Sequence, residues 1–290
     1  MESTSNTGLT PTLLKELQLN FGFKASKALG QNFLIDSNMC AKIAQVLPED
    51  SNVIEIGPGV GSLTIHLAKR ANKVLAIELD QHILDPLNFV LSNFEVADKV
   101  EVLSQDVMEV DLEEICRENK IEYVFGNLPY NISAPLLADI ARKVPSVKCV
   151  VAMVQKEVGD RLSAKLGTRA VGAITYKCQH FMAIENLFAV PKMSFIPRPH
   201  VDSVVLKMDR KDLNLSDLNE SQTIEMFKLI DTSFSQRRKM LRQSLKSLLG
   251  DNLDAVFDLA NVDPTLRPEQ LIDRDFMNLY KATVEVNGQR

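Results

Sequence analysis

The residues best suited to chemistry stand in one short run, Phe125-Gly126-Asn127-Leu128-Pro129-Tyr130-Asn131. The run closes an apolar stretch, Ile121 to Phe125, with the composition of a buried strand. Glycine and proline then break the strand and force a tight, fixed loop. Asn127 offers an amide oxygen, Tyr130 an aromatic ring, and the loop a carbonyl between them. Such a set suits a flat, hydrogen-bonding amine, for example the exocyclic amine of a nucleobase. The oxygens accept from the amine while the tyrosine stacks on the ring. The same run also reads as a structural turn in which Asn127 caps a backbone and Tyr130 is simply packed. Taken alone, it favours neither reading.

Three further features stand upstream in serial order. Val53-Ile54-Glu55-Ile56 is an apolar strand that enters Gly57-Pro58-Gly59-Val60-Gly61, and a helix is expected from about Ser62 to Arg70. A strand, a Gly-rich turn and a helix open a doubly wound nucleotide-binding fold. The spacing is Gly-x-Gly-x-Gly, not the Gly-x-Gly-x-x-Gly of dinucleotide binders. Glu55, two residues before the first glycine, would repel a pyrophosphate but suits the ammonium of an amino-acid tail, directly or through water. Both features favour S-adenosylmethionine over a nicotinamide dinucleotide. Glu78 closes a second strand, Val74 to Ile77, about twenty residues past the turn, where an acid binds both ribose hydroxyls. Asp106 follows a third strand, Val100 to Leu103, placed to accept from an adenine amine; an isolated Asp there is also an ordinary helix cap. The Gly turn, Glu78, Asp106 and the Asn127 loop each follow the C-terminal end of a strand, where ligands bind in such sheets.

The remaining elements must hold these loops in place. Thr10-Pro11 opens a short amphipathic helix over Thr12 to Asn20. Lys24 to Leu34, with Gln31, Asn32, Phe33 and Leu34 at its end, reads as a segment folded over a ligand or as a linker. Ser37 is expected to cap a helix reaching about Leu47. Pro135 sits in the first turn of a helix beginning near Ser133. Val147 to Val154 is a fifth strand, apolar on both faces and therefore central. A helix follows Gln155, and Val171 to Met182 fits a strand or a strand with a preceding helix. Pro191 to Pro199 is a proline-punctuated loop, and Val201 to Met208 is the last strand. His200, in that loop, has no identified carboxylate partner and reads as a surface residue. His66, His82 and His180 fall within elements and read as structural.

Composition sets the outer bounds. A chain of 290 residues holds one large domain or two smaller ones. A net charge of −5 rules out a protein coated in positive charge but leaves local basic patches open. The four cysteines, Cys40, Cys116, Cys149 and Cys178, show no Cys-x-x-Cys pair and read as buried thiols in a reducing compartment, with no metal site or disulfide framework. The first residues lack the pattern of a signal peptide, and no apolar run is long enough to span a bilayer. A cytoplasmic protein is expected. There is no internal repeat.

A polar segment, Asp209 to Asn219, marks a domain boundary. Beyond it the pattern is helical, and Asn219 with Gln222 resembles a capping box. Thr232 to Gly250 contains no acid but carries Arg237, Arg238, Lys239, Arg242 and Lys246. This stretch reads either as a phosphate contact or as a solvated helix face.

Together these motifs resemble the small-subunit ribosomal RNA adenine dimethyltransferases, the KsgA/RsmA family. The matching pieces run from Lys27 to about Leu279. They are Gly30-Gln31-Asn32-Phe33-Leu34, Glu55-Ile56-Gly57-Pro58-Gly59, Glu78-Leu79-Asp80, Gln105-Asp106, Gly126 to Ser133, Pro197-Arg198-Pro199-His200-Val201-Asp202-Ser203 and Phe234-Ser235-Gln236-Arg237-Arg238-Lys239. The first five are shared with Erm-type methylases of large-subunit RNA; the last two look like KsgA and not Erm. Val60-Gly61 departs from many relatives without consequence.

The resemblance implies a class I S-adenosylmethionine-dependent methyltransferase. Its fold is α/β and Rossmann-like, with a mostly parallel seven-stranded sheet and a small C-terminal helical domain. Residues 1–208 form the catalytic domain and 209–290 the RNA-binding domain. The implied reaction dimethylates N6 of two adjacent adenosines in a hairpin loop near the 3′ end of 16S rRNA, within the immature small subunit. Asn32, Leu34, Gly57, Gly59, Glu78, Asp106 and Asn127 then surround S-adenosylmethionine. Asn127, Leu128 and Tyr130 face the base, and Arg237, Arg238, Lys239 and Arg242 meet RNA. No metal is implied, and a monomer is expected. The alternatives are an Erm-type enzyme, a DNA adenine methylase, for which a separate recognition region is missing, and a non-catalytic assembly factor on the same scaffold.

Overall fold

In the computed structural model, residues 8–212 and 218–288 are described. Residues 1–7, and 213–217 within the polar boundary segment 209–219, lie outside them. The chain divides into two compact units. One comprises Met1–Gly159 with Ala183–Arg210, the other Asp160–Met182 with Lys211–Arg290. The expected division after residue 208 differs in one stretch. Residues 160–182 join the second unit because Gln179 donates to the carbonyls of Leu162 and Ala164, and Tyr176 donates to that of Leu271.

The first unit carries the strands β1 (Phe33–Leu34), β2 (Asn52–Ile56), β3 (Lys73–Glu78), β4 (Val100–Ser104), β5 (Tyr123–Asn127) and β6 (Cys149–Gln155). Three follow: β7 (Met182–Val190), β8 (Phe195–Ile196) and β9 (Ser203–Arg210). Seven of them form one sheet in the order β4-β3-β2-β5-β6-β9-β7. The pairs from β4 to β6 are parallel, and β9 returns antiparallel to β6. This is the expected Rossmann-like, mostly parallel seven-stranded sheet. From β2 the chain moves outward through β3 to β4, then crosses back to β5 on the other side. The strand order therefore reverses between β2 and β5, and the crossovers there leave a crevice beyond the strand ends.

Local sequence explains most elements. The first helix, Pro11–Phe21, starts on Thr10, whose hydroxyl accepts from Leu13 N, and stops at left-handed Gly22. β6 lies inside the sheet, and Val150 to Val154 are buried without alternation, as a strand covered on both faces requires. Asp36, not Ser37, caps the second helix, Ser37–Ala44, by accepting from Met39 N at 3.1 Å. Ser37 has turned to the His66 ring, 3.2 Å away. The helix after the Gly turn is shorter than expected, Thr64–Ala68.

Two readings change more substantially. Residues 173–181 are helical, and the strand follows them as β7. Its burial is irregular and largely exposed, as suits a strand at the end of the sheet order, so it carries little periodic signal. Gly126 does not break a strand. It lies within β5, paired with Ile56 and Ala152. A Cβ there would stand 2.6 Å from the Ile56 carbonyl oxygen and 2.9 Å from the Leu128 side chain, so only glycine admits this approach.

The helix Ser133–Lys143 follows the Asn127 loop. Its C-terminal carbonyls are satisfied from β9: the Arg210 guanidinium donates to Ile140, Ala141 and Val144, and its Nε donates to Val147. In the second unit the capping box forms as expected. Asn219 accepts from Gln222 N at 3.0 Å, and Gln222 accepts from Asn219 N at 2.9 Å, opening a helix over Glu220–Ser235. That unit packs around Tyr176, Phe227 and Phe276. All four cysteines are free and buried. Among the described residues no helix is long and apolar enough to cross a membrane, and no group of three or more His, Cys, Asp or Glu could hold a metal ion.

Candidate active site

The crevice at the β2/β5 reversal is a cavity in the first unit. Gly57 and Gly59 line it after β2, Glu78 at the end of β3, Asp106 after β4, and Asn127, Leu128 and Tyr130 at the end of β5. The opposite wall is the segment Leu29 to Leu34, which includes Asn32 and Leu34. Every residue expected around a cofactor or a base thus faces one space. The segment Lys24 to Leu34, readable as a fold over a ligand or as a linker, ends in a strap along the cavity wall.

The strap is fastened at three points. Phe33 and Leu34 form β1, paired antiparallel with Ile196 and Phe195 of β8. The proline-punctuated loop therefore contributes a short strand, which nothing in its composition announced. Asn127 Nδ2 donates to the Asn32 carbonyl oxygen at 2.9 Å. Gln31 Nε2 donates to Asp80 Oδ2 at 2.8 Å. The Phe33 ring also rests on the Gly turn. Gly59 has φ +56°, and a Cβ there would meet the ring at 3.2 Å, so glycine is needed both for the backbone and for the strap.

Glu78 has a role the sequence did not show. One carboxylate oxygen accepts from Gly59 N at 3.0 Å and the other from Asp80 N at 2.9 Å. It ties the Gly turn to the end of β3, and each oxygen keeps acceptor capacity toward the cavity. Burial raises its pKa above the usual carboxylate range, while those two backbone bonds work against the rise. Asp106 Oδ1 accepts from Met108 N at 2.9 Å, so it does form the local turn bond, and it lines the cavity as well.

Glu55 also lines the cavity and is 1% exposed. Its Oε2 is buried without a hydrogen-bond partner. Burial pushes its pKa up to about 8, partly offset by the Thr64 hydroxyl and reinforced by Glu78. A buried carboxyl left without a partner is a place for a cation.

At the far side, the Asn32 carbonyl can only accept, so it fixes the Asn127 amide with its nitrogen toward the strap. Asn127 Oδ1 is left pointing elsewhere, with no protein donor among the described residues. Leu128 N donates to Met153 O at 3.1 Å, and no donor among the described residues reaches its carbonyl oxygen. Two acceptors thus stand on adjacent residues. Tyr130 is half-buried, and its hydroxyl lies 3.0 Å from Ser203 Oγ. Burial raises the Tyr130 pKa, so the phenol is neutral and its ring is available for stacking.

The other candidates lie elsewhere. Arg237, Arg238, Lys239 and Arg242 are exposed in the second unit and do not line the cavity; Arg237 donates to the Arg169 carbonyl oxygen. His200 is exposed. His66 is buried, and burial lowers its pKa to about 4. Asp80 and Ser203 stand in motifs quoted above, yet their type and spacing gave no hint of what they touch.

The family described as Ribosomal RNA adenine dimethylase matches residues 22–284. Ribosomal RNA small subunit methyltransferase A of Ligilactobacillus salivarius is 37% identical over 289 residues, 95% of this chain and 96% of that protein. Its namesake in Bacillus thuringiensis is 36% identical over 287 residues, 95% and 97% of the two chains. A dimethyladenosine transferase from Plasmodium falciparum has TM-score 0.72 at 25% identity, over 88% of this chain and 98% of that one. The 23S rRNA methyltransferase ErmE shares the fold, with TM-score 0.64 and 23% identity over 87% and 100%.

Proposed function

The chain belongs to the ribosomal RNA adenine dimethylase family, and from that premise we propose that it dimethylates N6 of two adjacent adenosines near the 3′ end of small-subunit RNA, with S-adenosylmethionine as donor. The observation that carries this reading is the meeting of the Asn127–Leu128 acceptor pair with the Gly turn and Glu78 in one cavity.

The cavity's donors and acceptors fit that cofactor. The unpartnered Glu55 carboxyl suits the ammonium of an amino-acid tail, Glu78 suits ribose hydroxyls, and Asp106 suits an adenine amine. Asn32, Leu34, Gly57 and Gly59 supply the walls. When bound, S-adenosylmethionine supplies a methyl group on a sulfonium, already a good leaving group.

The chain's own task is to activate and place the amine. An adenine amine is a poor nucleophile because its lone pair is delocalised into the ring. Acceptance of its two N–H groups by Asn127 Oδ1 and the Leu128 carbonyl oxygen localises that lone pair on nitrogen. Tyr130 holds the ring by stacking. Neither amide oxygen is a base, so the proton displaced from N6 leaves to water. Positioning of this kind converts an encounter of two molecules into an effectively unimolecular step. The target base must leave its stack to enter, which costs least from a loop. The exposed run Arg237-Arg238-Lys239, with Arg242, supplies phosphate contacts.

Primer extension on small-subunit RNA from a strain lacking this protein tests the reading, because a dimethylated adenine blocks copying. The expected result is loss of two adjacent stops near the 3′ end and their return with the wild-type gene. Unchanged stops would overturn it.

A further inference from the structure

The motif ending in Asp202-Ser203 lines no part of the cavity, yet one of its side chains reaches the cavity wall. We propose that Ser203 is a positioning residue that holds the Tyr130 ring in place over the adenine, through the bond between the two hydroxyls. The proposal rests on the reading of Tyr130 as the base-stacking face.

Ser203 Oγ lies 3.0 Å from Tyr130 Oη. Ser203 is 0% exposed, whereas Tyr130 is half-buried and faces the cavity. The anchor is itself fixed. Ser203 begins β9 in register with Gln155. The carbonyl of the preceding Asp202 accepts from Lys156 N at 3.0 Å, and its carboxylate accepts from Lys192 N at 3.0 Å. Held only through its Cα–Cβ bond, a tyrosine ring swings among staggered rotamers. A second attachment at the hydroxyl, the far end of the ring's long axis, removes that swing and keeps the ring over one spot, and stacking is sensitive to ring placement.

The same strand serves the same segment at its other end. Arg210, the last residue of β9, donates to the carbonyls that close the helix Ser133–Lys143. β9 thus holds the stretch from Tyr130 to Val144 at both ends, and Ser203 is the end that touches the proposed chemistry.

The test is single-turnover methylation of unmodified small ribosomal subunits at saturating S-adenosylmethionine. It compares Tyr130→Phe, Ser203→Ala, the double variant and Tyr130→Ala, with cofactor affinity measured alongside. Loss of one neutral hydrogen bond should slow each of the first two by roughly two- to tenfold. Cofactor affinity should not change, and the double variant should be no slower than the slower single one, because both changes remove the same bond. Slowing that multiplies in the double variant would overturn the proposal, as would Tyr130→Phe at the wild-type rate. Tyr130→Phe keeps the ring and truncates the half-buried partner rather than the buried one, so it decides the matter even if Ser203→Ala folds poorly. Tyr130→Ala separates the two readings. If it is slow while Tyr130→Phe is normal, only the role of Ser203 falls; if it too is normal, the stacking role of Tyr130 falls with it.

Discussion

The Asn127 side-chain amide donates to the backbone carbonyl oxygen of Asn32 at 2.9 Å. One residue ends a strand of the sheet, and the other belongs to the strap over it. The bond uses the amide nitrogen and leaves the oxygen unpaired, so one contact both fastens the strap and orients the proposed acceptor.

Asn127→Ala removes that acceptor. If it is worth as much in the transition state as an oxyanion-hole donor is elsewhere, about 2.7–4 kcal/mol, methyl transfer should fall roughly a hundred- to a thousandfold. Single-turnover assays at saturating cofactor check this. A rate within a few-fold of wild type would mean that another group activates the amine.

Glu78→Ala strips acceptors from Gly59 N and Asp80 N as well as from the ribose. Cofactor binding should weaken by about 1.5–3 kcal/mol, the range for hydrogen bonds to a charged group. Isothermal calorimetry on the folded variant measures it. Unchanged affinity would confine Glu78 to holding the turn.

Glu55 gives a pH signature. Its carboxyl titrates near 4.5 in the unfolded chain and near 8 in the fold. Between those values the folded state keeps a proton that the unfolded chain has lost, so the contribution of Glu55 to stability falls as pH rises. His66 has the opposite sign. With a folded pKa near 4 against an ordinary 6.5, its contribution grows as pH rises through that window. His66 is common to wild type and Glu55→Gln, so its contribution cancels between them. From pH 6.5 to 8 the melting temperature of Glu55→Gln should gain on that of wild type, and a constant gap would reject the assignment. An ammonium beside Glu55 favours its charged form, so cofactor binding near pH 7 should release protons. Calorimetry in buffers of different ionisation enthalpy should detect this release in wild type but not in Glu55→Gln.

Replacing Arg237, Arg238 and Lys239 with glutamine should flatten the salt dependence of subunit binding by roughly two to three units of log–log slope, if each meets a phosphate. Cofactor affinity should stay the same. An unaltered slope would make the run a solvated face.

Gly126→Ala forces a methyl group to within 2.6 Å of the Ile56 carbonyl oxygen. Overpacking of this kind costs about 1–3 kcal/mol or more. The clash falls between β2 and β5, where the cavity opens, so activity should drop with stability. Urea denaturation would show a lower midpoint; a wild-type midpoint would mean that the two strands part without cost.

The sheet and the cavity floor were legible because both follow from local pattern. Apolar runs set β2 to β6, and the acids and amides stand directly at their ends. The Asn219–Gln222 capping box was legible for the same reason: its partners are three residues apart. The contacts that escaped reading join distant parts of the chain. Nothing near Gln31 points to Asp80, and nothing near Tyr130 points to Ser203. Gly126 was misread because its constraint comes from Ile56 on a neighbouring strand. β7 was missed because its exposed, irregular face lacks a period-two pattern.

The pairing of Phe33 with Ile196 and of Leu34 with Phe195 also sets an order of assembly. The strap is synthesised well before the strand it pairs with, which follows β2 to β7 in the chain. Contacts so far apart in sequence are entropically costly to close and form late. A growing chain therefore carries its Gly turn without the paired strap until residue 196 has been made. Full closure of the pocket waits for residue 196, so the parallel strands β2 to β6 are all made before the strap can pair.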